Sequence, residues 1–260
     1  MENTGIHRAK TWQMALFALN NTSTNLWLVL LNFVAYYLTG YVGVAVVMAT
    51  SVMTFMRIWD AITDPIVGYI VDKTDGKFGK NRPFMAAGNI VLLITTFLMF
   101  FTTHHLPEQF RFIYFLVIYL IYIIGYTLQT VVTKSAQSCL TNDPKQRPTF
   151  GIYDGIYNAT LFALVPGFVA QHLVPKYGGF TAELFQELWI YIAPVTVIFT
   201  WLAIFALKDK DRTEFFGTGE PVKVTFKDYW DVLKNNRAIQ MLVVSASTDK
   251  LAALVTSNAT

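Results

Sequence analysis

Long apolar runs without a charged residue recur along this chain, and polar stretches separate them. The first run, Thr11 to Met56, holds 46 residues without Asp, Glu, Lys or Arg. A membrane-spanning helix needs about 20 mostly apolar residues, so this run predicts two spans, with a break in the segment 39–43. Four later windows predict one span each: Pro83–Pro107, Phe112–Thr133, Gly155–Pro175 and Leu188–Leu207.

The windows are typical of helices, because they lack the apolar–polar alternation of barrel strands. We therefore predict an all-α integral membrane protein. Residues 1–207 form a six-helix transmembrane bundle, 208–237 a cytoplasmic linker, and 238–260 a partial seventh helix. Because that last apolar segment is still running at Thr260, we expect a truncated form of a longer protein, with a C-terminal bundle missing.

Composition supports the membrane assignment. Hydrophobic residues make up 54% of the chain and charged residues 14%, against about 25% charged in soluble domains. These values exclude a soluble globule and a disordered chain, and the single Cys139 excludes a disulfide scaffold. The net charge of +3 is mild, so the expected partner is the lipid bilayer and not a nucleic acid.

The distribution of Lys and Arg predicts the orientation. With the N-terminus inside, the inner segments hold 15 of these residues and the outer loops hold 2. Cytoplasmic loops carry such an excess, so we expect a multi-pass protein of a bacterial-type cytoplasmic (inner) membrane with a cytoplasmic N-terminus.

Three charged residues share one face of the second span. Arg57, Asp60 and Asp64 are spaced by three and four residues, which places them on one side of a helix. Two ionised carboxylates one turn apart repel each other, and a bound cation or a shared proton would relieve this. With the Thr63 hydroxyl they form a candidate Na⁺ cage. Alternatively, Arg57 neutralises Asp60 in a structural ion pair.

Polar residues also mark the first, fourth and fifth spans. Asn21 and Asn25 share a face of the first span, where they either line a sugar-binding cavity or bond to another helix. In the fourth span, Lys134 could pair with Asp154 of the fifth span or with an acid of the second. It could also attract an anionic substrate group, or snorkel toward the membrane surface.

No pattern of enzyme chemistry accompanies these residues. The sequence lacks a nucleophile–base arrangement, a zinc-ligand spacing and a phosphate-binding glycine loop in its strand-to-helix context. We therefore expect no catalytic residues and no cofactor.

Residues 57–83 read RIWDAITDPIVGYIVDKTDGKFGKNRP. This segment closely resembles the second helix and following loop of the glycoside–pentoside–hexuronide cation symporters, the melibiose-permease-like branch of the major facilitator superfamily. The resemblance implies a major facilitator fold of twelve helices in two bundles. It also implies a small sugar or sugar derivative bound between the bundles and coupling to sodium, proton or lithium.

The resemblance also implies roles for individual residues. Asp60 and Asp64 match the family's cation-binding acids, Thr63 stands at a coordinating position that is often Asn, and Thr127 matches an assisting threonine. The sugar side departs from melibiose permease: Thr24 and Thr130 replace acids, Lys134 replaces an aromatic residue, and Asp154 falls near an arginine position. Our predicted substrate-binding set is Asn21, Thr24, Asn25, Thr130, Lys134 and Asp154.

The loop after the second span is basic, and two interpretations of it stand together. Its charges would set the topology, and they would form inner ion pairs that bias the outward-facing state. The predicted gating residues are Arg57, Asp72, Lys73, Lys80 and Arg82.

The predicted function is secondary active transport: symport of a sugar of the glycoside or hexuronide type by alternating access, coupled to Na⁺ or H⁺, in a protein that is monomeric at full length. Two alternatives remain from the sequence. One is a truncated, non-transporting membrane protein or sensor, and the other is a membrane-embedded enzyme.

Overall fold

The computed structural model describes residues 6–74, 76, 78–212, 215, 234–245 and 248, and its contacts divide the chain into two units, Met1–Gly217 and Thr218–Thr260. Within the described part of the first unit, all regular structure is helical, which confirms the all-α prediction. The six long helices are α1 (Thr11–Asn32), α2 (Val46–Lys73), α3 (Arg82–Phe101), α4 (Glu108–Leu140), α5 (Arg147–Phe168) and α6 (Ala182–Leu207).

Short turns of helix extend three of these elements. The helix Val34–Tyr37 and the π-helical turn Leu38–Val42 continue α1, and the 3-10 turn Thr103–His105 follows α3. The π-helical turn Val169–Leu173 and the helix Val174–Tyr177 continue α5. The first break predicted from the sequence therefore lies slightly later, between Val42 and α2.

Local chemistry explains where the helices start and stop. Gly43, with φ of +81°, ends the extension of α1, a backbone conformation that residues with a side chain rarely adopt. Proline lies in the first turn of both α3 and α5, where its missing N–H has no intrahelical partner to lose. At the start of α6, the Thr181 hydroxyl accepts a hydrogen bond from the Leu184 N–H at 3.3 Å.

The bundle buries a set of polar side chains within a largely apolar core and turns many other large apolar side chains outward. Amides and hydroxyls such as Asn20, Gln129 and Thr196 are fully buried, whereas Ile113, Trp201 and many other large apolar side chains are exposed. This is the arrangement expected of a protein whose solvent is a lipid hydrocarbon layer.

Five helices of the described residues are long and apolar enough to cross a membrane: Thr11–Val42, Val46–Lys73, Arg82–His105, Glu108–Leu140 and Ala182–Leu207. The predicted span Gly155–Pro175 is helical but is not among them. The reason is its polar content: Asn158, Gln171 and His172 lower its hydropathy. Asn158 does not face lipid, since its side chain accepts a hydrogen bond from Asn25 of α1 at 2.9 Å.

The helices pack around α1, which contacts α6, α5 and α4, while α2 lies against α4, and α3 packs on α4 and α6. Two glycines bring α3 and α4 close together. A Cβ atom on Gly88 would lie 3.0 Å from the Gly125 carbonyl oxygen, and one on Gly125 would lie 2.8 Å from a Val91 methyl carbon. Beside this contact, the Gln129 side-chain amide donates to the Met85 carbonyl at 2.7 Å.

One end of the bundle, which we call the basic end, is formed by residues 6–10, 78–82, 141–147 and 208–212. The N-terminal segment is bound there to the loop between α4 and α5. Arg8 Nε lies 2.7 Å from Asp143 Oδ2, and the Gln146 side chain exchanges two 3.0 Å hydrogen bonds with the Ala9 backbone.

Asp211 ties the end of α6 to the start of α3. Its carboxylate is completely buried and accepts hydrogen bonds from the backbone N–H groups of Lys80, Asn81 and Arg82 at 2.9–3.2 Å. Gly79 makes this possible, because its φ is +92° and a Cβ there would collide with the Asp211 side chain. The acid acts as an N-terminal cap supplied by a residue about 130 positions away.

We expect Asp143 to stabilise the fold only while it is ionised. The Lys145 N–H, 2.9 Å from Oδ1, and the Arg8 guanidinium hold the pKa of Asp143 below its ordinary value. Such a group stabilises fully above the ordinary carboxyl pKa of about 3.9, and its contribution is lost as pH falls through the lower folded value. In thermal unfolding, the Asp143→Asn variant should be less stable at neutral pH, with the gap closing below about pH 4. A gap that persists unchanged into strong acid would contradict this.

In the second unit, residues 237–245 are helical. The Asn236 side-chain oxygen accepts hydrogen bonds from the N–H groups of Ala238 and Ile239 at 3.1 and 3.3 Å, which caps this helix. Most of the predicted linker 208–237, and most of 246–260, lie outside the described residues.

Candidate functional site

The predicted cation residues meet between α2 and α4. The Thr127 hydroxyl lies 3.2 Å from Asp60 Oδ1, to which it donates, and 3.2 Å from the Thr63 hydroxyl. Both threonines are buried, whereas Asp60 is half-buried and Asp64 is exposed. Asp64 follows one helical turn after Asp60, and both charges act on the Tyr126 side chain of α4. Three of the four predicted residues are therefore in direct contact, and the fourth lies on the same side of α2.

The only potential cation ligands among Asp60, Thr63, Asp64 and Thr127 are side-chain oxygen atoms. Among the described residues, no group of three or more His, Cys, Asp and Glu side chains could hold a metal ion. The donors near Asp60 are two carboxylates and two hydroxyls, which are hard oxygen ligands and suit a hard monovalent cation better than zinc or another transition metal.

The structural ion pair between Arg57 and Asp60 is not formed. Within the described part of the chain, no carboxylate oxygen lies within 4 Å of the Arg57 guanidinium. Arg57 and Asp60 instead line one crevice between α1, α2 and α4, with a volume of about 30 Å³. The crevice is lined by Leu28, Leu31, Met56, Arg57, Asp60, Tyr119, Tyr122, Ile123 and Tyr126.

A second polar cluster joins α1, α4 and α5. The Asp154 carboxylate lies within electrostatic reach of Lys134 and beside the Asn21 amide. One turn further along, Asn25 bonds to Asn158. One oxygen of Asp154 is buried without a hydrogen-bond partner among the described residues. The structure thus places Asn21 and Lys134 near Asp154, but no oxygen of Asp154 lies within 4 Å of the Lys134 ammonium group, so the ion pair of the pairing interpretation is not formed.

The two threonines of the predicted substrate-binding set, Thr24 and Thr130, form hydrogen bonds within their own helices. Thr24 is buried, and its hydroxyl donates to the Asn20 carbonyl at 3.0 Å. The Thr130 hydroxyl donates to the Thr127 carbonyl at 3.2 Å. In this structure neither hydroxyl contacts the Lys134–Asp154 cluster.

The predicted gating residues are found in several different contacts. Lys80 Nζ lies 2.7 Å from Asp72 Oδ1, and Arg82 Nε lies 3.4 Å from Asp211. Lys73 lies over the Tyr69 ring, 4.3 Å from its centre, while Arg57 belongs to the crevice and not to the basic end.

Sequence reasoning missed three polar residues of this region. Asn158 could have been identified from the sequence, because an amide side chain within an apolar window needs a hydrogen-bond partner on another helix. Asp211 lies in a charged stretch next to Asp209 and Lys210, where nothing distinguishes it from solvent-exposed neighbours. Tyr122 lies among several aromatic residues of α4, and it is distinguished only in the structure, where its buried hydroxyl has no hydrogen-bond partner among the described residues.

A family model described as MFS/sugar transport protein matches residues 21–260. The chain belongs to this family. The match, together with the symporters below, confirms the resemblance to the glycoside–pentoside–hexuronide symporters and the multi-pass membrane assignment. The family and the relatives' names are those of transport proteins, which confirms that the chain is not an enzyme.

Several curated relatives are similar to parts of the chain. The uncharacterized symporter YjmB of Bacillus subtilis is 32% identical over 119 residues, 45% of this chain and 26% of its own length. The uncharacterized symporter YnaJ of the same species is 26% identical over 219 residues, 82% of this chain and 45% of its own. A glucuronide carrier protein homolog of Escherichia coli is 27% identical over 130 residues, which are 50% of this chain and 28% of the homolog's own length. The chain thus spans less than half the length of these relatives.

Proposed function

We propose that this chain is the cation-binding half of a sugar:cation symporter in a cytoplasmic membrane, with the basic end facing the cytoplasm. The observation that carries the proposal is the contact of Thr127 with Asp60 and Thr63, one helical turn from Asp64, where Asp60 also lines the crevice. Membership of a sugar transport family supports a sugar as the substrate. The carboxylates of Asp60 and Asp64 support the coupling of its transport to a cation.

The acids provide the coupling step. Two carboxylates one turn apart in a low-dielectric bundle repel each other, and a bound Na⁺ or a proton removes that cost. Cation binding would then draw α2 toward α4 through the shared threonines. Because α4 also carries Lys134, this movement changes the substrate cluster as well. Coupling of this kind is reciprocal, so the sugar raises the affinity for the cation by the same factor.

The polar cluster of α1, α4 and α5 provides the sugar contacts. Asn21, Lys134 and Asp154 offer donors and acceptors that match sugar hydroxyls, and the unpartnered oxygen of Asp154 has capacity for one more donor. A second bundle would complete the cavity, and rocking of the two bundles would give alternating access. The Asp72–Lys80 and Arg82–Asp211 pairs would brace the basic end while the site faces outward.

Gradient-driven uptake tests the proposal. The protein encoded by the complete native reading frame is reconstituted in vesicles, and uptake of labelled glycosides and hexuronides is measured under an imposed Na⁺ or proton gradient. We expect uphill accumulation of at least one sugar under at least one gradient, and none when the gradient is collapsed with an ionophore. Failure to accumulate any sugar under either gradient would overturn the symport proposal.

A further inference from the structure

The carboxyl group of Asp154 lies within the bundle without the contacts that usually stabilise an ionised acid. One of its oxygen atoms is buried and finds no hydrogen-bond donor among the described residues. No Lys, Arg or His nitrogen in the described part of the chain lies within 4 Å of either oxygen. Burying an unpaired carboxylate costs far more than burying a neutral acid, so these surroundings favour the protonated form.

Two buried acids at the basic end show the opposite arrangement. Asp211 accepts hydrogen bonds from three backbone N–H groups at the start of α3, at 2.9–3.2 Å. Asp143 accepts one from the Lys145 N–H at 2.9 Å and lies 2.7 Å from Arg8 Nε. The fold thus surrounds these two acids with donors that favour the charged form, and it does not do so for Asp154.

The helices packed against α5 bring one charge near this acid. α5 packs on α1, whose residues 11–32 include no charged side chain, and the neighbour of Asp154 on that helix is the Asn21 amide. Lys134 of α4 is the charged group that acts on Asp154, from beyond the 4 Å of an ion pair. A cation at that distance lowers the cost of ionisation, but it gives the buried oxygen no donor.

The described residues of α5 itself add no charge beside the carboxyl group. Tyr153 and Tyr157 stack on each other with ring centres 6.1 Å apart, and a phenol ionises only at about pH 10. Arg147 lies exposed at the start of the helix, and His172 lies in the extension at its other end. The charge of Asp154 is therefore set by its burial against one distant cation.

We propose that Asp154 is a proton-binding site, occupied at neutral pH in the sugar-free protein. The proton comes from water and adds to a carboxylate oxygen, with no other bond formed or broken. The resulting carboxylic acid has both a donor and an acceptor, so it can bond to the Asn21 amide while its other oxygen stays unpaired at little cost. This inference goes beyond the proposed function, and it requires neither a sugar nor a coupled cation.

This proton site is distinct from the proposed cation site. Asp60 lies between α2 and α4, where it accepts a hydrogen bond from Thr127, whereas Asp154 lies between α5 and α1. The charges of Asp60 and Asp64 act on Tyr126, and neither acid of α2 is among the described groups that act on Asp154. A cation bound at Asp60 would therefore leave the proton on Asp154 in place.

Infrared spectroscopy detects this proton directly, because a carboxylic acid and a carboxylate absorb at different frequencies. The protein from the complete native reading frame is measured in lipid at neutral pH, without sugar, and the spectrum of Asp154→Asn is subtracted from that of the unaltered protein. We expect the difference to contain the C=O band of one carboxylic acid, which shifts in heavy water because its proton exchanges. Carboxylate bands in place of that band would overturn the proposal.

Asp72→Asn is the matched control, because Asp72 is exposed and lies 2.7 Å from Lys80 Nζ. Its difference spectrum should contain carboxylate bands and no carboxylic acid band. Since no sugar and no gradient are present, a failure of the symport proposal in the uptake experiment would leave this result unaffected.

Lys134→Gln gives a test that does not depend on the folding of Asp154→Asn. Loss of the nearby positive charge favours the neutral acid, so the carboxylic acid band should persist to a pH that is higher by roughly one unit. An unchanged pH titration of that band would overturn the proposal, because Lys134 is the charged group that acts on Asp154.

Discussion

Replacing Asp60 by Asn should abolish uphill, cation-driven sugar accumulation. The amide keeps the shape of the side chain and still accepts a hydrogen bond from Thr127 at its oxygen, but it removes one of the two negative charges of the proposed cation site. Interactions of hydrogen-bonding groups with a full charge contribute about 1.5–3 kcal/mol, so the apparent cation affinity should fall by roughly 10- to 100-fold. Uptake by reconstituted vesicles under an imposed gradient measures this directly.

The same change at Asp64 should have a comparable effect, because both acids lie on one face of α2. Glu108→Gln is a suitable control, since Glu108 is exposed in the first turn of α4 and lies outside the site. Downhill equilibration of sugar across the vesicle membrane should persist in all three variants. Accumulation at the unaltered level by both Asp60→Asn and Asp64→Asn would refute the role of these acids.

Asp211→Ala should be the most destabilising single change at the basic end. It removes a fully buried carboxylate and leaves the N–H groups of Asn81 and Arg82 without an acceptor at the start of α3. A charged hydrogen-bonding group lost in this way costs roughly 3 kcal/mol. For a chain of this size, that cost lowers the melting temperature by roughly 6–12 °C, measurable by thermal unfolding in detergent.

Asp209→Ala removes the same charge from an exposed position two residues earlier and should change the melting temperature by little. Gly79→Ala gives an independent test, because the added methyl group would collide with Asp211 and would hold a strained positive φ. Equal melting temperatures for Asp211→Ala and Asp209→Ala would show that the cap does not stabilise the fold.

Hydropathy alone located the six long helices of the described bundle, because apolar runs of about 20 residues are helical in a membrane. It placed their ends less well. The window Phe112–Thr133 underestimates α4, which runs from Glu108 to Leu140, since charged residues at a helix end stop a charge-free window but not the helix. In α2 the window ends at Met56, yet the helix continues to Lys73, because charged residues inside a helix stop a charge-free window but not the helix.

The common face of Asp60 and Asp64 could be predicted because both lie in α2, where a spacing of three or four residues reveals a shared face. Contacts between distant segments carry no such period. Nothing in the sequence around Asp211 indicates that it caps a helix beginning at Arg82. Likewise, the pairing of Asn25 with Asn158 depends on which helices are neighbours, and local patterns do not contain that information.

The glycine contact between α3 and α4 has a consequence for the ion that the proposed site would select. Gly88 and Gly125 leave no space for a methyl group between the two backbones, so α4 has a single height and rotation relative to α3. Tyr126 and Thr127 follow Gly125 directly, and their position over α2 is set by that packing. A bulkier residue at Gly88, on a helix that contributes no residue to the proposed cation site, would therefore change the spacing of the oxygens of Asp60, Thr63 and Thr127 and with it the ion preference of that site.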